Sequence, residues 1–245
     1  MRKIVQTSFF FLFLSAFLIT GCKKENMCDC IKRTGDIISE TRSLSGFDRV
    51  VLVDNVNVFI AQDTVFEVRV EAGENIVPLI KTIVEDGTLT IRNDNRCNWT
   101  RSYKKPMNVY VKMPELKYIT NMGTAKITGL NTITKPLELE TKNSGDIEFH
   151  VNNSRVITHM FGYGDIILHG TSAQHDCSIG GDGFLYAADL HTGYTWLETF
   201  TSGLCYIYAN DLLIVNIKKK GDVYCYGHPV TVDQTISGEG HLYIQ

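Results

Sequence analysis

The chain is predicted to be all-β and to fold as a right-handed parallel β-helix, a solenoid of about 19-residue rungs with a β-rich N-terminal lead-in. Three observations carry this. After Pro114 a glycine followed by a short alternating strand recurs at 123, 145, 164, 183, 203, 221 and 240, with spacings of 22, 19, 19, 20, 18 and 19. Two residues after these glycines stand Ala125, Ile147, Ile166, Leu185, Cys205, Val223 and Leu242, and four after them Ile127, Phe149, Leu168, Ala187, Ile207, Cys225 and Ile244. Strand side chains alternate with period two, so both columns share one inward face. Four residues before the glycines stand Ile119, Thr141, Met160, Ile179, Thr199, Ile217 and Ile236, a second column nearly as apolar.

One such rung cannot enclose its own apolar face. Rungs laid over one another hydrogen-bond to their neighbours and merge their inner columns into one core. A propeller blade needs about 40 residues for four strands, so units of this size disfavour a propeller. The glycines are expected at corners, where a positive φ carries no Cβ penalty.

Taken in order, the first residues read as an address. Arg2 and Lys3 precede an apolar run over 9–19, broken only by Ser15, too short to span a bilayer. Leu18-Ile19-Thr20-Gly21-Cys22 then resembles a bacterial lipobox, which implies cleavage before Cys22 and acylation of Cys22. Residues 1–21 are thus assigned as a lipoprotein signal peptide, 22–46 as a tether and 47–245 as the β-helical domain. Within the tether, 36–41 has the composition of an edge strand. From Phe47 short β-branched runs follow: 50–53, 56–60 and 65–70. Residues 76–80 read as a helical turn limited by Pro78. Asp86-Gly87 between 81–85 and 88–92 is a hairpin signal. The polar stretch 93–106, with Trp99 and Tyr103, reads as an exposed loop, and 107–113 as a further strand.

The net charge is −3; loss of Arg2 and Lys3 takes it to −5. A mildly acidic chain with no dense basic run argues against nucleic acid as a partner. Of the seven cysteines, Cys22 is assigned to lipid, and Cys177, Cys205 and Cys225 fall on inward positions as small apolar residues. Cys28 and Cys30 form a Cys-x-Cys pair with two readings, metal binding or a bridge involving Cys97. No zinc-like spacing accompanies them, so neither a metal nor another cofactor is expected.

Phe47-Asp48-Arg49-Val50, Val56-Asn57-Val58, Gly87-Thr88-Leu89-Thr90-Ile91 and the Ser-Gly-Asp-Ile-like rungs, in that order, resemble the head GIN domain family. Its members are described as auto-transporter adhesins and are common in Bacteroidetes. The resemblance extends over about residues 47–245. It implies a β-helical fold and an adhesin label, and brings no catalytic or binding residues with it.

On a solenoid the outward positions carry function. Three residues after the last four glycines stand Tyr186, Tyr206, Tyr224 and Tyr243, and two residues further on Tyr208 and Tyr226. Stacked phenols offer flat, amphipathic area suited to sugars or protein surfaces; they also serve as a stabilising cross-strand ladder. Asp146 and Asp165, with His150 and His169, form a second outward group, as a candidate for Ca²⁺ or for acid–base chemistry on polysaccharide. Asp after Gly is equally a turn residue, and this group lacks a nucleophile. No phosphate loop, nucleophile elbow or zinc helix motif is present.

The reading is a non-enzymatic, lipid-anchored envelope protein of the outer membrane that presents a β-helix for contact with a glycan or protein. The alternatives are a carbohydrate-active β-helix enzyme, discriminated by whether Asp146, Asp165, His150 and His169 line a cleft, and an envelope scaffold.

Overall fold

A computed structural model describes residues 33–95 and 105–245. Cys22, Cys28, Cys30 and Cys97 lie outside the described residues, as do Trp99 and Tyr103. The strands in chain order are β1 (Ile37–Arg42), β2 (Arg49–Leu52), β3 (Asn57–Gln62), β4 (Glu67–Gly73), β5 (Ile80–Glu85), β6 (Thr88–Asn93), β7 (Asn108–Met113), β8 (Tyr118–Asn121), β9 (Ile127–Gly129), β10 (Leu137–Thr141), β11 (Ile147–Met160), β12 (Ile166–Ile179), β13 (Leu185–Tyr186), β14 (Leu190–Thr199), β15 (Cys205–Tyr208), β16 (Leu212–Ile217), β17 (Val223–Tyr226), β18 (Thr231–Ile236) and β19 (Leu242–Ile244). The only described helix is a 3₁₀ turn over Val77–Leu79, where Pro78 stops anything longer.

From β8 onward the chain winds about seven turns of a β-solenoid at roughly 19-residue spacing. Two walls run the length of the stack, and all their pairings are parallel. One wall joins β8, β10, the second half of β11, the second half of β12, β14, β16 and β18. The other joins β9, the first half of β11, the first half of β12, β13, β15, β17 and β19. Between the walls lies a buried, mainly apolar core. Ile147, Ile166, Leu185, Cys205 and Val223 pair rung to rung and are all buried. Phe149, Leu168, Ala187, Ile207 and Cys225 form the second buried column.

Two expectations are corrected. The first concerns the opening rung. Thr141 pairs with Asn121 rather than Ile119, and Ile147 pairs with Ile127 rather than Ala125. Gly123 is therefore not the counterpart of Gly145; Ala125 holds that position. Asn121 fits the core because its amide donates to the carbonyls of Ala125 and Asp146 and its Oδ1 accepts from the Gly123 amide. What each turn conserves is a separation of six residues between the last inward residue of one wall and the first of the next: Asn121 to Ile127, Thr141 to Ile147, Met160 to Ile166 and so on to Ile236 and Leu242.

The second correction concerns the glycines. None of those from Gly145 to Gly240 in the stacked column has positive φ. They are required by close approach. A Cβ on Gly164 would lie 2.2 Å from the Gly145 carbonyl oxygen, on Gly183 2.2 Å from that of Gly164, and on Gly203 2.5 Å from that of Gly183. From Gly145 to Gly240 the backbones of successive rungs touch at this corner, and only glycine fits there.

The lead-in belongs to the same solenoid. Arg49–Leu52 and Asn57–Gln62 repeat the six-residue corner, Leu52 to Val58, and pair in parallel with β8 and β9. On their far side lie β6 and β7, also parallel. Val50, Leu52, Val58 and Ile60 extend the core with no exposure. Antiparallel strands finish this end: β5 on β6 through the Asp86-Gly87 hairpin, β4 on β7, and β1 on β4. Asp86 and Gly87 both have positive φ, 47° and 74°, as the hairpin signal requires. Thus 37–42 forms the edge strand expected at 36–41.

Candidate functional site

The aromatic ladder lies on the outer face of the second wall, over the last four rungs. Tyr186, Tyr206, Tyr224 and Tyr243 are direct register partners. Their rings stack at centroid separations of 5.5, 5.3 and 5.0 Å, with interplanar angles of 7°, 19° and 17°. These distances follow from the strand spacing, so the ladder spans roughly 16 Å. Phe184 stacks on Tyr186 at 6.1 Å from within the same rung and widens the strip there. Tyr208 and Tyr226 pair beside it, and His191 lies flat on Tyr208 at 4.4 Å.

The strip is open to solvent. Tyr186 and Tyr243 are 40% exposed and Tyr226 is 38% exposed, while Tyr206, Tyr208 and Tyr224 are half-buried between their neighbours. The described part of residues 47–113 packs at the other end of the stack, where β2 and β3 pair with β8 and β9, and does not cover the strip. Partial burial, Asp165 and the neighbouring phenol push the Tyr186 hydroxyl above its ordinary value; burial, Asp222 and its ladder neighbours do the same for Tyr224. Both phenols are therefore uncharged at neutral pH, which leaves an amphipathic surface of hydroxyl tips and apolar ring edges.

The Asp/His group is also in register, on the earlier rungs. His150 pairs with His169. The Asp146 carboxylate accepts the Asp165 backbone N–H at 3.0 Å, and the Asp165 carboxylate accepts that of Phe184 at 2.8 Å. Asp222 repeats the pattern on His241 at 2.8 Å. Each Asp thus staples the corner of its own rung to the next, satisfying an amide that the ladder leaves over. His169 faces Glu148 at 3.9 Å and Asp189 at 3.5 Å; His150 contacts Thr132 at 3.3 Å. Among the described residues no group of three or more His, Cys, Asp or Glu is arranged to hold a metal. A recess at the N-terminal end, lined by Phe47, Asp48, Phe66, Gly87 and Pro114 among others, shares no residue with this group.

The inward cysteines are free and buried, and burial raises all three thiols: Cys177 well above its usual range, Cys205 to about 12 and Cys225 to about 11. They act as apolar core residues. Sequence reasoning missed the aromatic extension at Phe184, one position after its anchor Gly183, and at His191, eight positions after it and outside the columns aligned on the glycines. It also missed exposed Phe161, Tyr163 and Phe200 at the glycine corner. Phe200 carries Lys219 Nζ 4.8 Å above its ring.

The geometry so far is that of a β-solenoid with a solvent-facing aromatic strip. The family model described as putative auto-transporter adhesin, head GIN domain, matches residues 46–229. The chain belongs to this family. Solved structures agree with the head GIN domain assignment in fold. A putative adhesin from Bacteroides fragilis aligns at a TM-score of 0.80 and 19% identity, covering 87% of this chain and all of its own. A putative adhesin from Parabacteroides distasonis aligns at 0.67 and 18%, again over 87% of this chain and 100% of its own. A putative lipid binding protein from the same species aligns at 0.62 and 20%, with the same coverage. No curated protein matches. Residues 230–245, which hold β18, β19 and the last tyrosine of the ladder, lie beyond the family match.

Proposed function

We propose that this head GIN domain protein is a non-enzymatic, lipid-anchored protein of the bacterial envelope, held at the outer membrane through Cys22, and that Tyr186, Tyr206, Tyr224 and Tyr243 are its contact surface for a glycan. The observation that carries the reading is the ladder: four phenol rings stacked in consecutive rungs, uncovered by any other described segment. A strip of roughly 16 Å suits a few sugar rings laid along it, since pyranose C–H groups pack on the apolar ring edges left between the stacked phenols and sugar hydroxyls meet the phenol tips. Tyr208 and Tyr226 widen the platform. The adhesin description of the family supports a surface-contact role, and the engagement of Asp146 and Asp165 with backbone amides supports structural work for that pair.

The test is a glycan array and host-matrix adhesion with the wild-type chain and Tyr206→Ser/Tyr224→Ser. Loss of binding with a melting temperature nearly unchanged supports the reading. Stacked pairs that serve only stability predict the reverse: about 0.5–1.5 kcal/mol lost per pair and binding intact. For the anchor, Cys22→Ser is expected to release the protein from the membrane fraction, and unchanged membrane association refutes it.

A further inference from the structure

The two ends of the solenoid are finished differently. At the N-terminal end antiparallel strands close the stack, and the outermost of them, β1, presents Ile37, Ile38, Ser39, Glu40 and Thr41 along its edge. At the other end β18 pairs only with β16, and β19 only with β17, among the described residues. The inward positions of this last rung are open. Val232 is 37% exposed, Ile236 43% and Ile244 48%, whereas their register partners one rung inside, Leu213, Ile217 and Cys225, are fully buried. The last rung thus carries core residues without a core, beside two strand edges whose outer backbone groups have no strand to bond.

We infer that this end is a self-association surface, and that its occupant is the same end of a second copy, β18 on β18 in an antiparallel, two-fold arrangement. The segment Thr231-Val232-Asp233-Gln234-Thr235-Ile236 is self-complementary when centred on Gln234. Directly opposed residues in an antiparallel pair point to the same face. Centring on Gln234 sets Val232 against Ile236 of the partner on the inward side, twice, with the two Gln234 amides between them able to bond each other. On the outward side Asp233 meets Thr235. Centring on Asp233 instead would oppose two carboxylates, which is destabilising. Joining the two inner faces continues the core across the two-fold, as one rung does for the next.

The protein's own N-terminal segment is poorly placed to cover this end. Arg33 and Thr34 lie beside β4, whose neighbour Asn75 bonds both carbonyls. From β4 to β19 there are nine strand intervals along one wall, roughly 43 Å. On the proposed cleavage before Cys22, the eleven residues 22–32 that would precede Arg33 span at most about 40 Å when fully extended. A head-to-tail ring or filament would set β18 against the antiparallel cap at the opposite end, whose edge strand β1 carries Glu40 and Arg42 beside exposed Ile37 and Ile38, and it would show as masses above a dimer. The contact is small: a rung of about 19 residues encloses a cross-section of at most roughly 300 Å² per copy, which places it among weak, transient interfaces. Such a contact responds to local concentration, as when many copies share one membrane surface.

The contact is independent of the tyrosine strip, so the two proposals fail separately. The experiment uses the whole chain, extracted in detergent and mildly oxidised. Gln234→Cys lies on the two-fold, where opposed Cα atoms of an antiparallel pair are about 4.5–5.5 Å apart, within disulfide range. It is expected to give a reducible dimer severalfold above the unsubstituted chain, whose native cysteines set the background, and above Thr231→Cys, which lies off the axis. In sedimentation the wild-type chain is expected to double in mass as concentration rises. Val232→Lys/Ile236→Lys should abolish this with unchanged circular dichroism and melting, since both side chains are already exposed. If that double variant melts early, the Gln234→Cys yield alone decides. A yield equal to background, an association that survives the double lysine variant in folded form, or a ladder of higher masses in place of a dimer overturns the inference. Tyr206→Ser should leave the dimer intact whatever it does to glycan binding.

Discussion

Acidification should destabilise this fold through one core histidine. His175 lies in β12 on an inward position, between Val156 and Thr195 in register, and is 1% exposed. Its Nε2 is 2.9 Å from Thr158 Oγ1 and 3.1 Å from Cys177 Sγ, so the neutral ring is bonded within the core. Burial lowers its pKa from 6.5 to about 4, against the smaller opposing pull of Asp176. The sign follows from which state binds the proton. Above pH 6.5 both states hold a neutral ring and the histidine costs nothing. Below it the unfolded chain takes a proton that the folded core refuses, so stability falls until the folded ring also titrates near pH 4. A gap of roughly 2.5 pH units is worth about 3 kcal/mol in all, of which between about 2 and 3 kcal/mol should be lost by pH 4.5. Carboxylates contribute their own pH dependence, so the measurement is a difference: urea unfolding of wild type and His175→Gln from pH 7.5 to 4.5. The variant should start less stable, having lost a fitted ring, and should show a flatter slope, the two curves converging on acidification. Parallel curves would refute the assignment of that slope to His175.

Three further outcomes test the packing. Leu185→Asp places an unpaired carboxylate in the fully buried column and should cost more than about 4 kcal/mol, read as failure to fold or loss of cooperative melting. Gly183→Ala should cost about 1–3 kcal/mol, because its Cβ would sit 2.2 Å from the Gly164 carbonyl oxygen, whereas Gly180→Ala, with 3.3 Å to the Phe161 ring edge, should be nearly silent in the same melt. Asp165→Ala removes the acceptor of the Phe184 amide and should lower stability by about 1 kcal/mol; a much larger loss would mean that the carboxylate holds more than its rung.

The fold was legible because every turn buries the same two walls. Ile147, Ile166, Leu185, Cys205 and Val223 are apolar at one spacing, and no other arrangement of short strands buries such a set. Anchoring the register on glycine worked wherever corner backbones touch, from Gly145 to Gly240. It failed at Gly123, because there the neighbouring rung is β2–β3, and the close approach is to the Asp54 carbonyl. The same anchor hid the place of β2 and β3 in the stack, though both runs read as strands. Their corner has Val56 in place of glycine, and they join the stack between β6 and β8, out of chain order. The six-residue step from Leu52 to Val58 was in the sequence, but alternation alone does not say which strand lies beside which. The candidate site was legible for a related reason. Outward residues bear no packing duty, so four tyrosines at one position mark a surface. What the sequence did not reveal was that Asp146 and Asp165 turn back onto backbone amides, since an Asp after Gly has the same letters whether it binds a ligand or a corner.

Division of labour between inner and outer columns explains how the fold tolerates change. The inner columns accept any apolar residue of suitable size, as the run Ile147, Ile166, Leu185, Cys205, Val223 shows. Solved structures at 18–20% identity share the fold. Each outer position, by contrast, is repeated about 5 Å along the stack and is not bound by core packing. A single tyrosine there is an isolated ring, but the same residue in four consecutive rungs becomes a continuous surface, because the strand spacing is close to the stacking distance of two aromatic rings. A solenoid therefore builds a binding strip by repetition, one substitution per turn, at no cost to its core. The ladder also runs to the open end: Tyr243 belongs to β19, the last rung. A second copy docked there would lengthen the strip across the two-fold and join two weak sites into one of higher avidity.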